Sequence, residues 1–291
     1  MSAEIDADHR DERPTITPRE AVRLLREKLA GGGVFDPAYE ANEIFEELSG
    51  RSPLLAHPIG EELFREMTAL AARRAAGEPL QYLFGKWEFY GLTFFVGEGV
   101  LIPRPETELL AEIAIRALKA RKGGTMLDLC SGTGCIAVAA ALNSSAEVYA
   151  VERYEAAFAY LKKNVEAHRA NVVPILADAL DPAVLPQKNF DVIVSNPPYL
   201  TAEEMRALPC EVRREPTTAL FGGADGLDFY RALVPLWGAR LADGGIFAVE
   251  VGDGQAAAVA EIFTAAGLTA EILPDLQGIG RVVLGKSKKS G

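Results

Sequence analysis

The sequence predicts a small helical domain followed by an α/β domain whose mostly parallel sheet carries helices on both faces. Three observations predict it. The first eighty or so residues hold three stretches with apolar residues at helical spacing. An aromatic and β-branched stretch, KWEFYGLTFFVGEGVLI, then breaks that pattern. From Gly124 onward, short apolar runs alternate with helical segments of about 10 to 15 residues, as a parallel sheet with crossover helices requires.

Composition fits this layout. The chain has 291 residues, 49% hydrophobic and 24% charged, which suits one large domain plus a small one. No apolar run approaches the roughly 20 residues of a membrane helix. The N-terminal MSAEIDADHRDERPTIT lacks an apolar core segment, so no signal peptide and a cytoplasmic location are expected. Cys130, Cys135 and Cys210 form no metal-binding spacing with each other or with the three histidines, so no metal is expected. The net charge of −11 disfavours direct binding of nucleic acid, which rests on Lys and Arg neutralising phosphates. It suits a small molecule or a protein partner with a basic face. A monomer is expected.

Residues 1–16 read as a disordered tail. Thr17-Pro18-Arg19-Glu20 reads as a capped helix start, followed by Val22, Leu25 and Leu29 and stopped by Gly31-Gly32-Gly33. A second helix runs from about Pro37 to Leu48, with Ala41, Ile44, Phe45 and Leu48 on one face. A third runs from about Glu61 to Ala76, striped by Leu63, Met67 and Leu70 and closed by Gly77. Residues 17–85 are thus the helical domain, 86–102 a β-hairpin linker turning at Gly91 and Gly97, and 103–291 the α/β domain. Within the last, PRPETELLAEIAIRALKA is a helix. Strands TMLDLC, AEVYAVE, VVPILAD, DVIVSN and GGIFAVEVG alternate with helices GCIAVAAAL, YEAAFAYLKKNVEAH and LDFYRALVPLWGARL, the last interrupted near Pro235. The helix GQAAAVAEIFTAAG and the strands LTAEILPD and RVVLGK follow, and KSKKSG reads as a solvated basic end.

The first strand of this domain ends in Asp128-Leu129-Cys130-Ser131-Gly132-Thr133-Gly134, and a helix follows at once. A glycine-rich turn there lets a ligand approach the backbone at the carboxyl end of the sheet. The third glycine of a dinucleotide loop is missing, and so is the Gly-Lys-Ser/Thr of a phosphate loop. Glu152 ends the second strand, where a carboxylate can accept both hydroxyls of a ribose. A nucleoside without phosphate fits: S-adenosylmethionine. Asp128 is expected near its cationic methionine end, and Asp178, ending the third strand, near the adenine amino group.

The fourth strand ends on Asn196-Pro197-Pro198-Tyr199. The prolines fix a rigid turn with free carbonyls, Asn196 adds a side-chain acceptor, and Tyr199 offers a flat ring. Together they suit a planar NH₂ group. Acceptors outside its plane would favour a pyramidal nitrogen with its lone pair aimed at a methyl group.

Asn-Pro-Pro-Tyr after a strand resembles the amino methyltransferases that act on planar nitrogens of adenine, cytosine or glutamine. GEPLQYLFGKWEFYGLTFFV, VLIPRPETELL, LDLCSGTGCIAVA, DVIVSNPPYL, EPTTALFGGADGLDFYRAL and GRVVL resemble, more specifically, the protein-(glutamine-N5) methyltransferases of the HemK/PrmC type. The resemblance runs from about Thr17 to Leu284. It implies a Rossmann-like methyltransferase domain behind a small N-terminal helical bundle. It also implies methylation of the glutamine of the Gly-Gly-Gln tripeptide in peptide chain release factors. On its pattern, Cys130, Ser131, Gly132, Thr133 and Gly134 form the cofactor segment, with Asp128 beside it. Glu152 takes the ribose, Asp178 and Ala179 lie by the adenine, and Asn196 is near the methyl. Asn196, Pro197, Pro198 and Tyr199 hold the glutamine. The chain departs from the pattern in Glu152, where Asp is common, in Cys130, where Gly is usual, and in Ala179, often larger. Sibling readings are a ribosomal-protein glutamine, DNA adenine-N6, and a module that binds the cofactor without catalysis.

Arg104, Glu106, Thr107 and Glu108 read either as capping residues or as a tie between the domains that shapes the methionine end. Glu215, Pro216 and the stretch from Ala219 to Gly226 read as a lid or a plain surface loop. Trp87, Phe89 and Tyr90 read as hairpin core.

Overall fold

The computed structural model describes residues 15–185 and 189–287. The proposed tail up to residue 14 and most of the basic C-terminal stretch lie outside the described residues. The chain divides after Phe84 into two compact units.

The first unit holds α1 (Pro18–Gly31), α2 (Pro37–Ser49), α3 (Glu61–Ala75) and the short α4 (Leu80–Phe84). Thr17 caps α1 by accepting from the Glu20 N–H, and Asp36 caps α2 by accepting from the Tyr39 N–H. The helices close on Ala21, Leu25, Leu29, Ala41, Ile44, Phe45, Met67 and Ala71, all buried. Leu63 and Leu70, expected in the stripe of α3, are only half-buried. Their place is taken by Ala71 and by Arg74, whose guanidinium holds Glu40 of α2 at 2.6 and 2.9 Å. Thr15 and Ile16, read as tail, form β1 (Thr15–Ile16), paired antiparallel with β2 (Ile59–Gly60).

The second unit opens with a hairpin of β3 (Lys86–Phe89) and β4 (Leu92–Phe95). Its two turn residues, Tyr90 and Gly91, both have positive φ, the geometry that matches strand twist in tight hairpins. The hairpin is no free linker: it belongs to this unit and is tied to α7 (Glu155–His168). Asn164 accepts from the Phe95 N–H and donates to the Phe95 carbonyl, and His168 bonds the Thr93 carbonyl.

Next come α5 (Glu108–Ala120), β5 (Thr125–Leu129), α6 (Cys135–Asn143), β6 (Glu147–Glu152), α7 and β7 (Val172–Leu176). They are followed by β8 (Phe190–Ser195), α8 (Ala202–Ala207), α9 (Asp228–Gly238) and β9 (Leu241–Glu250). The last elements are α10 (Ala256–Ala265), β10 (Thr269–Pro274) and β11 (Gly280–Lys286). The seven-stranded sheet has the order β10-β11-β9-β8-β5-β6-β7. From β7 to β9 all pairs are parallel, and β11 runs antiparallel between β9 and β10. This is a Rossmann-like sheet. Its two faces carry separate cores, one under α5 and α6 and one under α9 and α10. Alternation along β5 assigns Met126 to the first and Leu127 and Leu129 to the second. Chain order reverses at β5, flanked by β6 and β8, and there the loops diverge to open a crevice at the carboxyl ends. Helix α8, absent from the sequence reading, starts with a capping box between Thr201 and Glu204. Among the described residues no helix is long and apolar enough to cross a membrane.

Candidate active site

Beyond β5 the backbone turns sharply into α6. Gly132 and Gly134 have φ of 54° and 77°, and so, at 59°, does Cys130. A non-glycine residue in this region costs roughly 1 kcal/mol, so the cysteine carries strain that the glycine usual there would not. A Cβ on Gly134 would stand 2.4 Å from a Leu161 methyl, which fixes glycine at the helix entrance. The turn is stitched by Ser131 N–H to the Val151 carbonyl at 3.0 Å and Ser131 Oγ to the Asp128 carbonyl at 2.8 Å.

Glu152 closes the rim beside it. Its Oε2 accepts from the Gly132 N–H at 2.9 Å and its Oε1 from the Tyr154 N–H at 2.8 Å. Both oxygens are oriented by backbone and each keeps a further lone pair for a hydroxyl. The longer Glu arm thus reaches the loop. Asp178 is less free than the sequence suggests. Its Oδ1 accepts from the Leu180 N–H at 2.9 Å, and its Oδ2 pairs with Arg153 at 2.9 Å. Ala179 is buried, with its carbonyl taken by the Trp237 indole at 2.7 Å. Phe229 and Tyr154 line the same cleft and supply the aromatic surface that Ala179 lacks.

Asp128 lies behind the loop, 1% exposed, and does not line the cleft. Neither of its side-chain oxygens has a hydrogen-bond partner. Burial pushes its carboxyl up to about 8, opposed by Ser131 and the Ala137 N–H and reinforced by the charge of Glu152. Burial likewise pushes the thiols of Cys130 and Cys135 up to about 12, so both stay protonated.

At the end of β8, Asn196 Nδ2 donates to Thr107 Oγ1 at 3.2 Å, leaving Oδ1 for another partner. The Pro197 carbonyl accepts no hydrogen bond among the described residues. Part of the stretch from Ala219 to Gly226 packs as a backing for this turn. Leu200 N–H donates to the Leu220 carbonyl and Gly222 N–H to the Leu200 carbonyl, both at 2.8 Å. A Cβ on Gly222 would meet the Pro198 carbonyl oxygen and Tyr199 Cα at 2.6 Å. Gln255 fixes the Tyr199 carbonyl at 2.9 Å. Burial, then the charge of Glu250, holds the Tyr199 hydroxyl well above its ordinary pKa.

Buried Glu215 accepts from the Ile102 N–H at 3.0 Å and pairs with Arg104. The Arg104 segment is therefore tied to the Glu215 segment of the same unit. Glu108 accepts from the Tyr90 N–H of the hairpin at 2.7 Å.

Two cavities result. The first, a cleft, is walled by Cys130 to Thr133, Val151, Glu152, Asp178, Ala179, Pro198 and Phe229. The second holds Tyr199, Leu200, Val212 and Leu220. Leu101, Arg104, Asn196 and Ala219 line both. The structure thus brings most of the expected residues to one cleft and Tyr199 to its neighbour. Asp128, Gly134 and Pro197 support the walls without lining them. Arg153, Tyr154 and Phe229 were not foreseen as site residues. Thr107 sits inside a motif the sequence does mark, whereas Phe229 reaches the cleft only through the packing of α9.

A glycine turn after the first parallel strand, with an Asn-Pro-Pro-Tyr turn across a shared wall, defines a methyltransferase site. A model of the methyltransferase small domain matches residues 106–210, and one of the PrmC N-terminal domain matches residues 20–85. A release factor glutamine methyltransferase of Geobacter sulfurreducens is 41% identical over 94% of this chain and 99% of its own. One of Moorella thermoacetica is 38% identical over 92% of this chain and 98% of its own. Among solved structures, the catalytic domain of hMettl16 in complex with a MAT2A 3′UTR hairpin superposes with a TM-score of 0.56 at 20% identity. It covers 76% of this chain and 81% of that one. A methyltransferase from Pyrococcus furiosus gives 0.53 at 20% identity, over 68% and 90%. The chain belongs to the release factor glutamine methyltransferase family.

Proposed function

We propose that this protein methylates the side-chain amide nitrogen of the glutamine in the Gly-Gly-Gln motif of peptide chain release factors, using S-adenosylmethionine. The observation that carries this reading is the pair of cavities that share Asn196 as a wall. One is lined for a nucleoside and the other for a small side chain. The family of the curated relatives supports the substrate.

The first cleft fits the cofactor on its own chemistry. Oriented Glu152 oxygens suit a ribose, and Val151, Tyr154 and Phe229 suit a flat base. The buried Asp128 carboxyl, held up to about 8 by burial, would be drawn to its ionised form by a cationic tail bound in front of the loop. Bound there, S-adenosylmethionine supplies an electrophilic methyl group on a sulfonium. Asn196 Oδ1 and a carbonyl left free by the proline turn accept the two amide hydrogens of the glutamine, and Tyr199 covers its plane. These acceptors stabilise charge that develops as the nitrogen takes the methyl group, and they align it for attack. Each such acceptor is worth about 10²–10³ in rate by analogy with a single oxyanion donor. The proton leaves the nitrogen after transfer. The helical unit is the part of the chain left to grip the protein substrate. We place this enzyme in the cytoplasm as a monomer, and its net charge of −11 favours a protein substrate over nucleic acid.

A transfer assay tests it. Tritiated S-adenosylmethionine is offered with a purified release factor, with its Gly-Gly-Ala variant, with ribosomal protein and with DNA. Label in the first alone is the expected result. Label in ribosomal protein or DNA instead moves the substrate assignment there, and binding without transfer to any of them leaves a cofactor-binding module.

A further inference from the structure

Glu250 is the last residue of β9. Val249 pairs with Ser195 of β8, so Glu250 stands beside Asn196 at the carboxyl end of the sheet. It is 2% exposed, and its Oε2 is buried without a hydrogen-bond partner. The Tyr230 hydroxyl donates to its carbonyl at 2.9 Å and pins the backbone. The Thr107 and Asn196 side chains face its carboxylate and pull its carboxyl down against the effect of burial, while bonding each other at 3.2 Å. Burying an acid here without a role would only cost stability.

An ionised carboxylate can only accept. Thr107 has one hydroxyl hydrogen. If the carboxylate takes it, the oxygen is left as an acceptor, and the group of Asn196 that faces it must be Nδ2, as in the 3.2 Å contact observed. Asn196 Oδ1 is then the atom turned away, toward the cavities. With the carboxylate removed or protonated, Thr107 can donate to Oδ1 instead. The carboxamide can then turn over and present N–H donors to an NH₂ group that needs acceptors.

We propose that Glu250 is a positioning residue of the methyl-transfer site: through Thr107, its carboxylate holds the Asn196 carboxamide with Nδ2 inward and Oδ1 toward the substrate nitrogen. This assignment deepens, and rests on, the function proposed above. Several groups face Glu250. They are Glu106 and Thr107 at the entrance to α5, Cys135 of α6, Asn196 and Tyr199 beyond β8, Tyr230 of α9 and Arg281 of β11. Burial pushes its carboxyl up to about 7; Thr107, Arg281 and Asn196 oppose the rise and Glu106 adds to it. The orientation is therefore held above about pH 7 and released below it.

Two measurements on the full chain test this. In the first, methylation of a release factor is followed from pH 5.5 to 9 for the wild type and Glu250→Gln. Wild-type kcat should rise through about 7. Glu250→Gln should lower the plateau about tenfold to a hundredfold and abolish that limb. Cofactor Kd and substrate KM should stay within about threefold. A Glu250→Gln enzyme with wild-type kcat, or with the limb intact, overturns the proposal. In the second, the Asn196 side-chain NH₂ is followed in ¹H–¹⁵N spectra, assigned by its loss in Asn196→Ser. It should titrate in the wild type and not in Glu250→Gln; an NH₂ that does not titrate sinks the proposal without any assay of activity. If it titrates but no release factor is methylated, the functional reading fails and the positioning role stands. Should Glu250→Gln not fold, Thr107→Val breaks the same relay in a side chain of the same shape and must lose kcat in the same way.

Discussion

At Asn196, truncation to alanine removes the side-chain acceptor and leaves the glycine turn and Glu152 untouched. Methyl transfer should fall by about 10²–10³, with cofactor affinity nearly unchanged in calorimetry. Parallel loss of both would make Asn196 a cofactor ligand first. The cysteines give a second test at this scale. Cys210 is exposed, whereas burial keeps the thiols of Cys130 and Cys135 protonated. Iodoacetamide followed by peptide mass spectrometry should therefore label Cys210 and spare the other two; labelling of Cys130 at the same rate would contradict a thiol held protonated at the cleft wall. Asn196 and Glu152 were legible in the sequence because each is fixed by a local signal, an acid or amide at the end of an apolar run. Phe229 and Glu250 were not, since each reaches the site through sheet order or helix packing that no local pattern encodes. Arg153 was hidden for another reason: an exposed arginine after a strand carries no sign that it will pair with Asp178.

Among the elements, the Asn-Pro-Pro-Tyr turn holds its shape because the segment from Leu220 to Gly222 runs beside it as a partner strand would. Gly222→Ala should therefore behave as an active-site mutation without touching substrate. Its Cβ would collide with backbone at 2.6 Å, so the turn must shift, and a loss in kcat of at least about tenfold is expected in the methylation assay. Wild-type kcat in that variant would show that the backing is dispensable. In the helical unit, Arg74 and Glu40 form a buried two-contact pair between α3 and α2. Arg74→Leu strands the carboxylate and should cost about 3–5 kcal/mol, read as an earlier urea midpoint for that unit. The sequence reading found the three main helices from their spacing but missed the pair, since Arg74 looks like a polar residue at a helix end. It also treated the hairpin as linker: alternation in KWEFYGLTFF announces strands, yet only Asn164 and His168 on α7 reveal what they pack on.

For the whole molecule, two buried acids set the response to pH. Asp128 and Glu250 have carboxyls raised to about 8 and about 7. Groups raised on folding bind protons more tightly in the native state. The stability they contribute is present below the ordinary carboxylate range and is lost as pH rises through those values. The melting temperature of the protein without cofactor should fall from pH 6 to about 8 and level off above it, and Asp128→Asn should flatten the fall between about 7 and 8. A melting temperature that climbs across that range would contradict the burial of ionisable Asp128. The alternation of strands and helices made the parallel sheet legible at this scale, and the antiparallel β11 inserted between β9 and β10 was not, because pairing order leaves no local trace. The central claim concerns one atom, and mass spectrometry of a release factor incubated with this protein and S-adenosylmethionine reads it directly. A single methyl group on the side-chain nitrogen of the Gly-Gly-Gln glutamine, absent with Asn196→Ala, is the result the two-cavity site predicts. A methyl group on any other residue, or equal yield from Asn196→Ala, would contradict it.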